Sequence, residues 1–390
     1  MIRSSGPPDK TTPGNVGDIY QNTDNGEIFV CKDVNHRPVR QQFIEVSAKD
    51  INTEYVWDTT PIKLDDCTKI FEDGRRLGYI DNFDFSETTN MNRMFSNCSS
   101  LTTIPQMDTS NVTSMVGMFT GCSSLTTIPQ MDTSNVIYMS YMFDGCSSLT
   151  TIPQMDTSSV TGMYTMFNNC SSLTTIPQMD TSSVTNMGSM FNNCSSLTTI
   201  PQMDTSRASD MSYMFAGCEK LTTIPQMDTS NGHLMKNMFD GCSSLTTIPQ
   251  MDTSNATNMS YMFDGCSSLT TIPQMDISSA TNVSSMFSYC RSLTNLDLRN
   301  IKLNLQIGSG TSWGHLLTVD SLVNTIKELM TQTSYKTLTM GTANLKKIVN
   351  LRCKIIDDTD PKKTMELCES TEEGAMTLID YAQLKKWNIK

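Results

Sequence analysis

The chain has 390 residues, a formal net charge of −12 at pH 7 and only 17% charged residues. Between Phe95 and Cys290, twelve Asp and one Glu stand against three basic residues, which leaves this stretch with a formal charge of −10. This balance argues against a nucleic-acid partner, because phosphate backbones require clustered Lys and Arg. No apolar run reaches the roughly 18 residues of a membrane span, and Met1–Pro8 lacks the apolar core of a secretory signal.

Two β-rich runs near the N-terminus, Asp18–Asn22 and Glu27–Cys31, flank an Asn-Gly pair, and this arrangement predicts a β-hairpin. A further strand is predicted at Tyr55–Trp57. Residues Gly14–Cys31 resemble hairpin segments found near the ends of phage tail and fibre proteins, although an ordinary small hairpin also fits. The resemblance implies that residues 1–66 form an attachment segment, which joins the chain to other virion proteins or to copies of itself.

A block of 24 residues then repeats through more than half of the chain. Cysteine keeps the period from Cys98 to Cys290, and leucine keeps it from Leu101 to Leu293. Phenylalanine marks it without a break at Phe95, Phe119, Phe143, Phe167, Phe191, Phe215, Phe239, Phe263 and Phe287. Repeats of this length predict stacked units that bury their apolar faces against their neighbours. A degraded copy over residues 67–94, with Phe71 in phase, predicts a capping repeat.

Each repeat is predicted to contain a short strand, a turn and a short helix. In the repeat that starts at Phe119, Leu125–Ile128 is rich in β-branched residues and is followed by proline, which suits a short strand. Asp132–Asn135 is typical of a turn or a helix cap. Met139, Met142 and Phe143 follow at the i, i+3, i+4 spacing of one helix face. The pattern therefore predicts an α/β solenoid.

This block resembles the BspA-like leucine-rich repeats of bacterial surface proteins, which some phage and prophage proteins also carry. The resemblance covers residues 67–305 and lies in the Ser-x-Leu-Thr-x-Ile strand, the turn Asp252–Met259 and the Met-Phe-x-x-Cys-Ser-Ser-Leu segment. The strand is commonly longer in the family and is shortened in this chain, as in Ile128–Met131. The resemblance implies a right-handed leucine-rich-repeat-like solenoid used in adhesion or protein interaction, without catalysis.

Methionine, cysteine and aspartate form further columns in the repeat. Methionine columns start at Met91, Met94 and Met107, in phase with Phe and Leu, so they are predicted to fill the core and not to line a ligand or metal site. The nine cysteines of the column are predicted to be buried free thiols. The aspartates from Asp84 to Asp276 stand in Asp-Thr-Ser turns, which predicts helix capping over calcium binding or acid–base chemistry. No metal or cofactor is expected.

After Cys290 the repeat dissolves, and residues 306–390 are predicted to form an irregular α/β cap. Hydrophobic patterning predicts helices at Thr318–Met330 and Lys362–Ser370. Strands are predicted at Lys336–Gly341, Met376–Ile379 and Trp387–Ile389. The region Leu317–Asn344 also resembles the tails of phage-borne members of the repeat family.

Side chains for catalysis are sparse. His36, His233 and His315 have no partner at catalytic or metal-binding spacing, and no phosphate-binding loop or hydrolase motif is present. No catalytic residue is therefore predicted, and an enzyme is the least favoured hypothesis. Positions just before each Met-Phe pair vary between repeats, and helix geometry would point them outward. The predicted partner-binding residues, with tolerated drift as the alternative explanation, are Tyr138, Tyr141, Tyr164, Arg207, Tyr213, His233, Lys236 and Tyr261.

These features favour a phage or prophage virion protein that is made in the host cytoplasm without a signal peptide. It would be a tail fibre or receptor-binding component that presents the solenoid to a host cell-surface protein or glycan. The sequence does not specify an oligomeric state, and only the analogy with fibres, which are often trimeric, would make the chain a homotrimer. A bacterial cell-surface adhesin or a cytosolic interaction scaffold is the second hypothesis, and a head decoration fibre is a more distant one.

Overall fold

A computed structural model of the chain describes the side chains of residues 65–72 and 84–300, and elsewhere the backbone of short strands. The chain divides into two compact units, Met1–Ser183 and Val184–Lys390. The predicted boundaries after residues 66 and 305 stay predictions. Within the described residues the structure contains strands and turns but no helix.

The strands of the first unit are β1 Ile2–Ser4, β2 Ile19–Asn22, β3 Ile28–Asp33, β4 Gln41–Glu45, β5 Ile62–Lys63 and β6 Phe83–Asp84. The unit begins with a four-stranded sheet in the order β1-β2-β3-β4. Strands β2 and β3 pair antiparallel, with Tyr20 opposite Phe29, so the predicted hairpin is confirmed at the level of the backbone. Strand β1 joins β2 in parallel, and β4 joins β3 antiparallel. Tyr55–Trp57 lies outside the described residues.

The strands of the second unit are β7 Thr271–Asp276, β8 Asn295–Arg299, β9 Leu305–Ile307, β10 Thr337–Met340, β11 Arg352–Ile355, β12 Met365–Cys368, β13 Met376–Thr377 and β14 Asn388–Ile389. The unit ends in two small three-stranded sheets, one in the order β14-β10-β9 and one in the order β12-β11-β13. The predicted strand at Lys336–Gly341 is confirmed as β10, and the predicted strands near residues 376 and 388 are confirmed in part. The helix predicted at Lys362–Ser370 is wrong, because Met365–Cys368 pairs antiparallel with β11 and this pairing overrides local helix propensity. Thr318–Met330 lies outside the described residues.

Stacked phenylalanine rings mark the repeats within each unit. In the first unit, successive rings from Phe71 to Phe167 have centroids 5.4 to 5.7 Å apart. In the second unit, the rings from Phe191 to Phe287 have centroids 5.5 to 5.8 Å apart. The methionine, cysteine and leucine columns are buried beside these rings. The predicted repeat solenoid with an apolar core is therefore confirmed.

The short helix predicted in each repeat is replaced by consecutive turns. Tyr141 has φ of 62° and Gly145 has φ of 75°, and two such left-handed residues per repeat interrupt a right-handed helix. Between them, backbone N–H groups alternate between two kinds of partner. The N–H groups of Met142 and Asp144 donate three residues back within the same repeat, whereas those of Tyr141 and Phe143 donate to the next repeat over 2.9 Å.

The predicted strand Leu125–Ile128 is also wrong for most repeats, since regular strands in the described repeats occur only at β6, β7 and β8. Leu125 and Ile128 are buried, but Thr126 and Thr127 are both exposed. Neighbouring repeats are also joined by isolated parallel β-bridges, such as the one between Ser114 and Tyr138.

Candidate functional site

The aspartates common to the repeats build turns. Asp132 Oδ1 accepts the backbone N–H of Ser134 at 3.0 Å and the Ser134 hydroxyl at 2.7 Å. The hydroxyl and then the N–H lower the pKa of Asp132, since both stabilise its charged form. The same arrangement recurs at Asp108, Asp156 and Asp204. The predicted local capping role is thus realised as a side-chain turn, because no helix follows.

Buried threonines and cysteines tie each repeat to its neighbours. Thr133 Oγ1 donates to the Asp156 carbonyl of the next repeat over 2.8 Å, a role that sequence reasoning missed. Cys146 Sγ donates to the Phe119 carbonyl over 3.2 Å. Burial raises the pKa of these thiols. The described cysteines are buried and form no disulfide, which confirms the prediction for the column.

Another column of the repeat normally holds a turn-forming Asn or Asp. Asn90 accepts the N–H of Asn92 at 3.0 Å, and Asp210 accepts that of Ser212 at 2.9 Å. The same bond recurs at Asn186, Asn258 and Asn282. At two positions of this column, Tyr138 and Leu234 stand where other repeats have the Asn or Asp that accepts this hydrogen bond. Neither side chain can accept this local hydrogen bond, and both are exposed, at 52% and 40% respectively.

In the first unit, the exposed side chains of Ile137, Tyr138 and Tyr141 and the partly buried Tyr164 make up what we term the tyrosine patch. The rings of Tyr141 and Tyr164 meet edge to face with centroids 5.3 Å apart. Partial burial, and then the neighbouring Tyr164, raise the pKa of Tyr141. Ile137, which sequence reasoning did not single out, is 37% exposed. The structure therefore brings two predicted residues, Tyr141 and Tyr164, into contact, and it exposes Tyr138 and Ile137 shortly before them in the chain.

A shallow groove of the first unit shares Ile137 with the tyrosine patch. Its other lining residues are short and polar, so its walls offer hydroxyl and amide groups around one apolar side chain. The groove is lined by Asn111, Thr113, Asn135, Ile137, Ser159 and Thr161.

The second unit places its predicted residues in smaller groups. Lys236 Nζ lies 5.5 Å from the centre of the Tyr213 ring, a cation–π contact. His233 is exposed, and its Nδ1 lies 3.2 Å from the Asn255 carbonyl oxygen. Arg207 and Tyr261 are exposed.

Sequence reasoning missed two further exposed side chains of this unit. These are Leu234 and Tyr289, and the Arg291 guanidinium lies 6.0 Å from the Tyr289 ring. Leu234 is recognised as unusual only when the equivalent residues of other repeats are known to accept the hydrogen bond of the turn.

The described part of the chain contains no group of three or more His, Cys, Asp and Glu side chains arranged to hold a metal ion. A search of the described residues for a helix long and apolar enough to cross a membrane found none. Of the three histidines, His36 and His315 lie outside the described residues.

Comparisons with known proteins bear on the repeat block. The family model described as "Mycoplasma protein of unknown function, DUF285" matches residues 65–174, 147–247 and 219–306. No curated protein matches the chain. The chain is similar to the T. pallidum leucine-rich repeat protein TpLRR, at 14% identity over 64% of this chain and 80% of that chain, with a TM-score of 0.22. It is also similar to a chain of the TLR13–ssRNA13 complex, at 13% identity over 76% of this chain and 46% of that chain, with a TM-score of 0.25.

The matched ranges overlap and together run from residue 65 to residue 306, which is more than half of the 390 residues. They cover the stacked repeats of both units. The expected leucine-rich-repeat type of family is confirmed at this level. The chain belongs to the DUF285 family.

Proposed function

We propose that the chain is a non-catalytic binding scaffold whose tyrosine patch carries the contact with a macromolecular partner. The observation that supports this most directly is Tyr138, a large exposed ring in a column that uses Asn, Asp, Ser or Gly in the other repeats except at Leu234 of the second unit. The repeat type is consistent with an interaction or surface scaffold. Tyrosines beside hydroxyl and amide side chains suit a recognition surface, because each ring adds contact area at low entropic cost.

Tolerated sequence drift at an exposed position explains the presence of Tyr138 less well than a binding role does. The substitution removes a side-chain acceptor that stabilises the local turn in other repeats, at a cost of about 0.5 to 1.5 kcal/mol per hydrogen bond. It also exposes a large ring directly after Ile137, which is itself exposed. A residue that weakens the fold locally and enlarges an exposed apolar patch is typical of a functional position.

Tyr138→Asn tests this proposal because it restores the residue that the column uses elsewhere. We expect the variant to fold with unchanged or slightly raised stability and to lose binding to the partner. Tyr289→Asn is the matched control, since it removes a ring of similar exposure from the second unit. The assay is saturation binding of the labelled full chain to intact bacterial cells and, separately, to immobilised cytosolic proteins. Equal binding by the wild type and Tyr138→Asn would refute the role of the patch.

For the biological setting we propose a phage or prophage virion, with the solenoid as the exposed part of a tail fibre or receptor-binding component. Support comes from the antiparallel pair β2–β3, whose sequence resembles hairpins near the ends of phage fibre proteins. The N-terminal strands would attach the chain to other virion proteins, and a host cell-surface protein or glycan would be the partner. Detection of the chain in purified phage particles by mass spectrometry tests this. Its presence on the bacterial cell surface and absence from particles would favour an adhesin.

A further inference from the structure

The shallow groove of the first unit presents amide oxygens that the fold itself leaves without a donor. Asn111 Nδ2 donates to the Ser86 carbonyl and Asn135 Nδ2 donates to the Ser110 carbonyl, each over 2.7 Å. These bonds fix the orientation of both amides, because a reversed amide would set one oxygen against another. Both side chains are exposed, and no donor among the described residues reaches either Oδ1. The groove therefore offers two oriented acceptors to a molecule from outside the chain.

The rest of the lining is neutral and also supplies acceptors. Thr113 Oγ1 donates to the Thr89 carbonyl over 3.1 Å and Thr161 Oγ1 donates to the Ile137 carbonyl over 3.5 Å, so each hydroxyl oxygen is left to accept. None of the lining residues is charged, and the groove has a volume of about 740 Å³, within the range of small-molecule sites. A ligand that fits this lining supplies neutral donors and requires no counter-charge.

Two consecutive residues of one repeat give this groove its apolar character. Ile137 stands in a column that holds Thr, Ser or His in the other repeats of the block. Tyr138 follows it and departs from its own column, as described above. Both side chains are exposed. Apolar side chains in two adjacent, normally polar columns thus coincide where the groove lies.

The next repeat leaves space for the Tyr138 ring. Gly162 pairs with Tyr138 in a parallel bridge and is the one glycine of that column among the described repeats, where Asn186 comes next. A Cβ atom on Gly162 would lie 4.0 Å from Tyr138 Cδ1 and 3.1 Å from Ser140 Oγ. An Asn here would therefore crowd the ring. Since Gly162 directly follows Thr161, the ring lies next to the wall that Thr161 contributes to the groove.

We propose that this groove and the adjoining Tyr138 ring bind a neutral oligosaccharide, an inference that rests on the binding role proposed above for the tyrosine patch. Sugar hydroxyls are uncharged donors, and they suit the unoccupied oxygens of Asn111 and Asn135. The C–H face of a sugar ring packs against apolar and aromatic side chains, which Ile137 and Tyr138 supply. A nucleic acid or an acidic glycan would meet no cation in the lining. A basic peptide is the competing ligand, because exposed aspartates such as Asp132 lie in the same repeats.

The test measures saturation binding of the labelled full chain to intact bacterial cells that have been treated in one of two ways. Periodate cleaves the vicinal diols of sugars, whereas proteinase K removes surface proteins. We expect periodate to abolish binding and proteinase K to leave it unchanged. We also expect equal binding at low and high NaCl, because contacts with a neutral glycan are not screened by salt.

Three variants locate the ligand on the chain. Ser159→Arg places a long side chain in the groove and should abolish binding; it should fold, since Arg207 occupies the equivalent position in the second unit. Ser279→Arg makes the same change of charge in the same column of the second unit and should bind like the wild type. Gly162→Asn restores the usual residue of its column but crowds the Tyr138 ring, so it should weaken binding without loss of the thermal unfolding midpoint.

The outcomes separate this inference from the proposed binding role. Binding that survives periodate and is lost after proteinase K, or that falls as NaCl rises, would assign the surface to a protein or a basic peptide and overturn the inference. Binding to immobilised cytosolic proteins alone, or equal binding by the wild type and Ser159→Arg, would overturn it as well. In each of these cases the binding role of the patch stands if Tyr138→Asn still abolishes binding. Loss after both treatments, together with loss in Ser159→Arg, indicates a glycan carried on a protein and supports the inference.

Discussion

The buried threonine column offers a direct measure of how strongly neighbouring repeats are joined. Thr133 is 1% exposed, and its hydroxyl donates to the Asp156 carbonyl over 2.8 Å. Thr133→Val keeps the shape of the side chain but deletes the donor. The lost hydrogen bond and the acceptor left behind outweigh the gain from an added apolar methyl group, so the variant should be destabilised by about 1 to 2 kcal/mol.

Thr126 in the same repeat provides the control. Its hydroxyl also donates to a carbonyl, that of Thr102 over 3.2 Å, but this threonine is exposed. Water can replace the bond, so Thr126→Val should change stability by less than about 0.5 kcal/mol. Both variants are compared with the wild type by guanidinium chloride unfolding under reducing conditions, followed by circular dichroism. Equal destabilisation by the two substitutions, or none by Thr133→Val, would refute the inter-repeat role of the buried hydroxyl.

Three further predictions concern the core, the turns and the thiols. Phe143→Ala should cost about 3 to 5 kcal/mol, because the ring is fully buried between two stacked neighbours; a loss below 1 kcal/mol in the same unfolding assay would contradict this. Because the pKa of Asp132 is lowered in the folded chain, its contribution to folding stability is present above about pH 4 and is lost as the pH falls through the folded-state pKa. Asp132→Asn should therefore flatten the acid limb of the curve of stability against pH. An unchanged acid limb would contradict this prediction. The native chain at pH 8 should leave its ten described cysteines unmodified by maleimide, since they are buried and burial raises the pKa of Cys67 to about 11; rapid labelling without unfolding, seen by mass spectrometry, would exclude this packing.

The columns of buried residues are readable from the sequence because each repeat presents the same apolar side chains to the same neighbours. Phe143, Met142 and Cys146 recur at fixed spacing, and the structure buries each of them completely. The N-terminal hairpin is readable for a different reason. Asn25-Gly26 between two β-rich runs specifies the turn locally, and β2 pairs with β3 as expected.

The candidate sites depend on what each column does in the folded repeat. Tyr138 and Leu234 stand out only when the same column is seen to accept local N–H groups through Asn and Asp elsewhere.

The sequence by itself determined the period, the buried columns and the family, because all three follow from the identity of residues at a fixed spacing. Tertiary structure decided the local conformation of each repeat. The i, i+3, i+4 pattern of Met139, Met142 and Phe143 fits a helix, but consecutive turns bury the same three side chains. The turns prevail because they release alternate N–H groups, such as that of Tyr141, to the next repeat. In a helix these N–H groups would form hydrogen bonds within their own repeat. The local conformation of each repeat therefore depends on the neighbouring repeat, 24 residues away.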